Sequence, residues 1–399
     1  MSKKVLFISG SIGLGHVTRD LAIAKKLQQQ EPEVEISWLA ASPASQLIKE
    51  AGERLLPEAD LYANENIPAE NAAEQGFRLN LLKYLMKAKN EWEHNINLFA
   101  QLVSKESFDL VIADEAYEIK IALGEGKVHY DGAFVMIYDF IGQLPMSWNP
   151  MERLVTFLWN LRWAKFGEFF DNQKKIALFI GEPEDIPDSR LGFLLPNRRK
   201  LAVEACQFVG YVFPFDPTEY ANKSAVRAKL GYGPEPLLVC SVGGTSAGKE
   251  LLDLCVRAFP IVREQIPNLR MVLICGPRIA PQSVEAPEGI EVKGYVPTLY
   301  EHLAACDLAI VQAGNTTTLE LTALKRPFLY FPLEGHFEQE VYVSQRLQRH
   351  RAGTRMLYSQ TRPASLAEKI IDHMGKDAEW QDIPVDGAQK AAQIIGQLL

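Results

Sequence analysis

Short apolar runs recur along the chain, separated by segments whose apolar positions fall at helical spacing. Residues 5–9 show no polar alternation and read as a strand buried on both faces; Leu21, Ile23, Ala24 and Leu27 then mark one side of a helix. Equivalent runs predict strands at 34–39, 108–114, 134–137 and 177–180, and again at 237–241, 271–275, 290–293 and 308–311. Strands alternating with helices in this way predict α/β architecture with doubly wound parallel sheets. Residues 208–217 combine a short strand with Gly and Pro punctuation, which suits a linker. The expected division is an N-terminal domain at 1–207, the linker at 208–217, a C-terminal domain at 218–386 and a last helix at 387–399, marked by Ala391, Ile394, Ile395 and Leu398.

Two segments depart from this rhythm. Residues 79–103 place Leu82, Leu85, Met86, Trp92, Ile96 and Phe99 among Lys and Glu and predict an amphipathic helix. Residues 150–170 interleave Trp159, Trp163, Phe166 and Phe169 with Arg153, Arg162 and Lys165. A basic, aromatic helix packs on its own domain, lies on a membrane surface or covers a lipid acceptor.

At 399 residues the chain exceeds one ordinary core, and 47% hydrophobic with 23% charged residues is a soluble globular composition. A net charge of −8 argues against nucleic acid as the main partner. The five cysteines are scattered without a CxxC pair and read as thiols of a reducing compartment. The first apolar run is too short for a signal peptide, and no run approaches the length that spans a bilayer, so a cytoplasmic location is expected.

Three loops hold candidate chemistry. Gly10, Gly13 and Gly15 lack the dinucleotide-binding spacing, leaving a tight strand-to-helix turn with His16 at its end. Asp114, followed by Glu115, closes an apolar strand, either as a cleft carboxylate or as a helix N-cap, with Asp139 a further carboxylate beyond another strand. Gly243, Gly248 and Lys249 approach a P-loop, but Glu250 stands where Ser or Thr must hold magnesium, so ATP hydrolysis is rejected. The third loop follows the run at 308–311, where Gln312-Ala-Gly-Asn-Thr-Thr-Thr leads into a helical pattern through Glu320. A strand, a Gly/Thr turn and a helix N-terminus make an anion cradle, and Glu320 is placed to accept hydrogen bonds from a diol. Phosphate and ribose together describe a nucleotide.

Gly314, Thr317 and Glu320, the restart Lys325-Arg-Pro-Phe-Leu-Tyr-Phe-Pro332 and Gln339 resemble the donor-sugar signature of GT-B glycosyltransferases. They are similar to the family of the peptidoglycan GlcNAc transferase, family 28, and to the UDP-glycosyltransferases. The resemblance implies two Rossmann-like domains facing across a cleft, donor on the C-terminal one, with the last helix packing back on the N-terminal one. It implies His16 as acceptor base in the loop of Gly13 and Gly15, oriented by Asp114. It places Gly243, Gly244, Thr245 and Ser246 at the donor diphosphate, Val296 at the nucleobase through its main chain, and Gly314, Asn315, Thr316 and Thr317 at the phosphates. Glu320 would take the ribose, and Gln339 with Glu340 and His336 the sugar.

Two features depart from the family pattern. Gln312 occupies a position where relatives often have His or Arg, with Lys249 or Arg19 as substitutes for the missing charge, and a family Asn is absent near Val343-Ser344. With no DxD triplet, transfer is expected to be inverting and metal-free, with no cofactor and a nucleotide sugar, uridine by default, as substrate. A nucleotide-sugar 2-epimerase or hydrolase and a catalytically silent binder use the same fold. The acceptor, whether lipid, glycan or small metabolite, and the oligomeric state stay open.

Overall fold

The structure is a computed structural model describing residues 2–10, 14–63, 73–74, 78–79, 89–243 and 248–399. The chain divides into two compact units. One holds most of the chain up to Pro214 together with Pro384–Leu399, and the other holds Phe215–Ile383.

The first unit is built on a seven-stranded sheet: β1 (Lys3–Ile8), β2 (Val34–Leu39), β3 (Arg54–Leu55), β4 (Leu110–Asp114), β5 (Ala133–Tyr138), β6 (Lys175–Ile180) and β7 (Cys206–Gly210). The order is β3-β2-β1-β4-β5-β6-β7, all pairs parallel. Continuous burial along β4 and β5 explains why these strands read as unbroken apolar runs. One sheet face packs on Val17, Ile23, Ala24 and Leu27 of the Gly15–Gln30 helix and on Ala388, Ala391, Ala392 and Ile395 of the last helix, Gly387–Gly396. The 79–103 pattern is corrected in its first part. Leu79 pairs with Ala73 in a short antiparallel ladder, and the helix is Lys89–Lys105. The span 80–88 lies outside the described residues. Residues 150–170 form two helices, Pro150–Trp163 and Phe166–Phe170.

The second unit has a six-stranded parallel sheet of β8 (Leu237–Ser241), β9 (Arg270–Ile274), β10 (Ile290–Lys293), β11 (Leu308–Gln312), β12 (Phe328–Phe331) and β13 (Thr354–Arg355). Its order is β10-β9-β8-β11-β12-β13. Alternate residues of β8 enter two cores: Leu238 and Cys240 face the Lys249–Gln265 and Pro363–His373 helices, while Leu237 and Val239 face the Leu299–Ala305 and Asn315–Ala323 helices. In both sheets the first strand of the unit lies beside the fourth, and at that point the winding reverses direction. Open α/β sheets bind ligands beyond the carboxyl ends of the strands at such a point. Among the described residues no helix is long and apolar enough to cross a membrane.

Candidate functional site

In the first unit the winding reverses between β1 and β4. His16 is the second residue of the helix that follows β1, and Asp114 is the last residue of β4. A β-carbon on Gly10 would stand 3.3 Å from the Asp114 carbonyl oxygen, so the small residue lets the turn after β1 approach the end of β4 closely. His16 Nδ1 lies 2.9 Å from Asp114 Oδ2. Asp114 does not cap the next helix, Tyr117–Gly124, whose N-cap is Ala116. Glu115 adopts φ +54°, a left-handed conformation that is costly for a residue with a side chain, and its Oε2 lies 3.5 Å from His16 Nε2.

Arg19 is the residue that the sequence alone could not place. One helical turn beyond His16, it is buried. Its Nη2 donates to Asp114 Oδ1 at 2.7 Å and Oδ2 at 2.9 Å, and its Nη1 donates to Asp139 Oδ2 at 3.3 Å. The spacing of His16 and Arg19 was visible in the sequence, but the carboxylates that enclose Arg19 come from β4 and just beyond β5. Burial lowers the His16 pKa, the Asp114 carboxylate more than reverses this, Arg19 opposes it, and the net value lies above 6.5. Burial would raise the Asp114 pKa, yet Arg19 and then His16 hold it below the usual carboxylate value. Asp20, buried and facing the Asp114 charge, is pushed well up, and Ser9 Oγ donates to it at 2.6 Å.

Arg19 Nη2 is also 2.8 Å from His16 Nδ1. That nitrogen cannot donate to Asp114 and accept from Arg19 at once, so the two neighbours favour opposite tautomers. Donation to Asp114 leaves the Nε2 lone pair free to accept a proton. Ligand atoms of His16, Glu115 and Asp139 lie within 4.8 Å of one another, the one such metal-compatible group among the described residues. The Arg19 guanidinium already supplies a positive charge there.

In the second unit the winding reverses between β8 and β11. Gly314 is the N-cap of the Asn315–Ala323 helix, so the first-turn N–H groups of Asn315, Thr316 and Thr317 open beyond β11. Among the described residues nothing stands within 4 Å of where a β-carbon on Gly314 or Gly243 would lie, and Gly243 has φ +80°. A second N-terminus converges here. Gly248 caps the Lys249–Gln265 helix, and a β-carbon on it would be 3.4 Å from Gln312 Oε1. Lys249 pairs with Asp253 at 3.0 Å across one turn of this helix. Gly13, Gly244, Thr245 and Ser246 lie outside the described residues. Gly15 is the first residue of its helix.

Glu320 is buried rather than on a helix surface, and burial alone pushes its pKa up to about 8. Tyr300, unremarked in the sequence, is close enough that its phenol is raised by burial and, to a smaller extent, by the Glu320 charge. Its ring stacks on Phe215 at 4.3 Å, and Val296 packs beside the same core. Beyond β12, His336 lies just before a π-helix, Glu338–Val343, that contains Gln339 and Glu340. Gln339 Oε1 accepts from Leu333 N at 2.8 Å, so that carbonyl holds the turn. Glu340 Oε1 accepts from Gly335 N at 2.9 Å, and His336 Nδ1 accepts from Gln339 N at 3.4 Å.

Residues 238–395 match the family model described as the glycosyltransferase family 28 C-terminal domain. An uncharacterized glycosyltransferase of Methanosarcina acetivorans is 36% identical over 355 residues, covering 85% of this chain and 79% of that protein. The UDP-N-acetylglucosamine–N-acetylmuramyl-(pentapeptide) pyrophosphoryl-undecaprenol N-acetylglucosamine transferase of Carboxydothermus hydrogenoformans is 32% identical over 119 residues, 29% of this chain and 32% of its own length. A second uncharacterized glycosyltransferase, from Methanopyrus kandleri, is 25% identical over 48% of this chain and 54% of its own length, so these last two relatives are matched over about a third and a half. Among solved structures, the kitacinnamycin glycosyltransferase superposes with TM-score 0.61 at 15% identity, covering 99% of this chain and 94% of that one. The calicheamicin glycosyltransferase gives 0.56 at 16% identity over 100% and 94%. These structures share the fold, two parallel-sheet α/β units. By its similarity along most of its length to a glycosyltransferase, its C-terminal domain and its architecture, the chain belongs to the GT-B glycosyltransferases related to family 28.

Proposed function

We propose that this protein transfers a sugar from a UDP-sugar to an acceptor hydroxyl with inversion at the anomeric carbon, without a metal ion. The observation that carries the reading is the hydrogen bond from His16 to Asp114 where the winding of the first sheet reverses. Asp114 holds Nδ1–H, and Nε2 takes the acceptor's proton as its oxygen bonds to the anomeric carbon. The bond from that carbon to the diphosphate breaks on the opposite side, and the electron pair leaves with the UDP. The N–H groups of Asn315, Thr316 and Thr317 receive the departing charge, and the start of the Lys249–Gln265 helix adds a second dipole. Glu320 accepts from the ribose hydroxyls. Uridine is supported by the donor named for the Carboxydothermus hydrogenoformans transferase.

The test is UDP release from a panel of UDP-sugars with lipid, glycan and small-alcohol acceptors. His16→Ala is expected to lower turnover ~100-fold or more while UDP affinity stays within about twofold, since a general base contributes ~10²–10⁴ to rate and nothing to ground-state nucleotide binding. Turnover unchanged in His16→Ala would remove the base from the reaction.

A further inference from the structure

The Pro150–Trp163 helix is packed with its polarity reversed. Its buried residues are Glu152, Thr156 and Asn160, four apart on one face. Glu152 and Asn160 find hydrogen-bond partners inside the unit, while the buried Thr156 hydroxyl has none among the described residues. Glu152 accepts from Met146 N at 2.6 Å and Ser147 N at 3.2 Å, as well as from the Ser147 hydroxyl. Asn160 accepts from Gln143 N at 2.9 Å and donates to Gln143 O at 2.9 Å and to Leu191 O at 2.7 Å. Met151, Leu154, Leu158 and Leu161, spaced three, four and three apart, form a second stripe that is 41% to 55% exposed. Trp148, just before the helix, is 90% exposed. The loop held by Asn160 adds Phe193, 81% exposed. Folded monomers rarely leave such a continuous apolar strip in water.

Basic groups edge this strip. Arg153 lies over the Trp148 ring at 5.0 Å and Arg162 over the Trp159 ring at 5.1 Å, and Lys165 and Arg190 are exposed nearby. Between residues 148 and 165 there are three cations and one carboxylate, the buried Glu152, in a chain whose net charge is −8. We infer that this face docks on an anionic lipid surface, with the leucine stripe, Trp148 and Phe193 entering the headgroup–acyl boundary and the cations meeting lipid phosphates. At 14 residues, about 21 Å at 1.5 Å per residue, the helix lies along the surface. A second copy of this chain fits less well, because a two-fold contact of this stripe with itself brings its cations together. At its far end Trp163 contacts the Tyr117 ring at 5.7 Å, and the Tyr117 hydroxyl donates to Glu115 beside His16. Docking therefore sets the first unit's base close to the lipid surface.

The test is co-sedimentation of the full chain with vesicles of phosphatidylcholine alone or mixed equally with phosphatidylglycerol. Binding is expected to the mixed vesicles and to be lost in high salt. Arg153→Glu/Arg162→Glu is expected to weaken it ~10-fold or more, because each surface cation contributes roughly fivefold. Leu154→Ser/Leu158→Ser changes exposed positions only, and an unchanged circular-dichroism melt verifies its fold; its partitioning is expected to fall at least as far. Equal binding to neutral vesicles, binding indifferent to both double variants, or no binding at all overturns the inference. So does a concentration-dependent dimer in sedimentation velocity that Leu158→Ser dissociates, which assigns the face to a second copy.

Discussion

Replacing Glu320 with Gln is expected to make the protein more stable and the nucleotide site worse. Burial moves the Glu320 pKa from 4.5 to about 8, so at neutral pH the folded state holds a proton that the unfolded chain releases. A raised folded-state pKa gives stability that is complete below pH 4.5, declines as pH rises, and levels off above about 8. At pH 7 the gap from 4.5 corresponds to a cost of about 3 kcal/mol, at 1.36 kcal/mol per unit. A glutamine side chain does not titrate, so Glu320→Gln is expected to gain up to about 3 kcal/mol at pH 7 and nothing below pH 4.5. Urea unfolding read by pulsed hydrogen exchange on peptides from residues 315–323 isolates the Asn315–Ala323 helix from the other unit. UDP binding should move the other way. Ribose hydroxyls donate to the carboxylate, so wild-type binding releases a proton and tightens toward pH 8, while the variant binds ~10-fold or more weakly, as loss of a charged hydrogen bond implies. Equal stability of the two proteins at pH 7, or a difference that is the same at pH 4.5, refutes the buried-proton argument.

The ascending limb of the pH–rate profile is expected above pH 6.5, where His16 loses its proton. Asp114→Asn should move that limb down, since Asp114 raises the His16 pKa, and Arg19→Met should move it up, since Arg19 lowers it; steady-state turnover across pH 5–9 reads both signs. Gly276→Ala should destabilise the second unit by about 2 kcal/mol or more, because Gly276 has φ +74° and its new β-carbon would stand 2.2 Å from the Gly243 carbonyl oxygen; hydrogen exchange on β8 and β9 measures it. Asp307 accepts from Arg227 and Lys223, both at 2.5 Å, and from Leu237 N at 2.8 Å. Burial would raise its pKa, but these donors hold it below 3.8, so the stability it provides is present above that pH and is lost as pH falls through the folded value. Asp307→Ala should cost about 3 kcal/mol at pH 7 by leaving Arg227 without its carboxylate, read in the same exchange experiment.

The strands at 34–39, 237–241 and 290–293 match in both bounds; burial of every residue of 237–241 writes a nearly unbroken apolar run, whereas Glu35 and the sequence Ile-Glu-Val-Lys interrupt the other two with polar residues. β3 and β13 went unread, since two residues are too few to show any period. The donor signature gave the helix after Gly314, but Glu320 alone looks like any surface glutamate, and only the packing of the Asn315–Ala323 helix buries it. Arg19 could not be placed from sequence for a related reason. A lone cation near a glycine turn suggests phosphate, and the carboxylates that claim it are 95 and 120 residues away in the chain. The Pro150–Trp163 helix is the sharpest difference. Glu152, Thr156 and Asn160 form a polar stripe that amphipathic patterning assigns to solvent, yet contacts from Met146, Ser147, Gln143 and Leu191 turn that stripe inward.

The most direct test of the nucleotide-sugar site is calorimetric titration of UDP, GDP, dTDP and ATP into the wild type, Glu320→Ala and Lys249→Ala. Tight UDP binding that weakens ~10-fold or more in Glu320→Ala and persists in Lys249→Ala is the expected result. Binding of ATP alone, indifferent to Glu320→Ala and abolished by Lys249→Ala, would instead assign the nucleotide to the loop before the Lys249–Gln265 helix and contradict the proposed donor site.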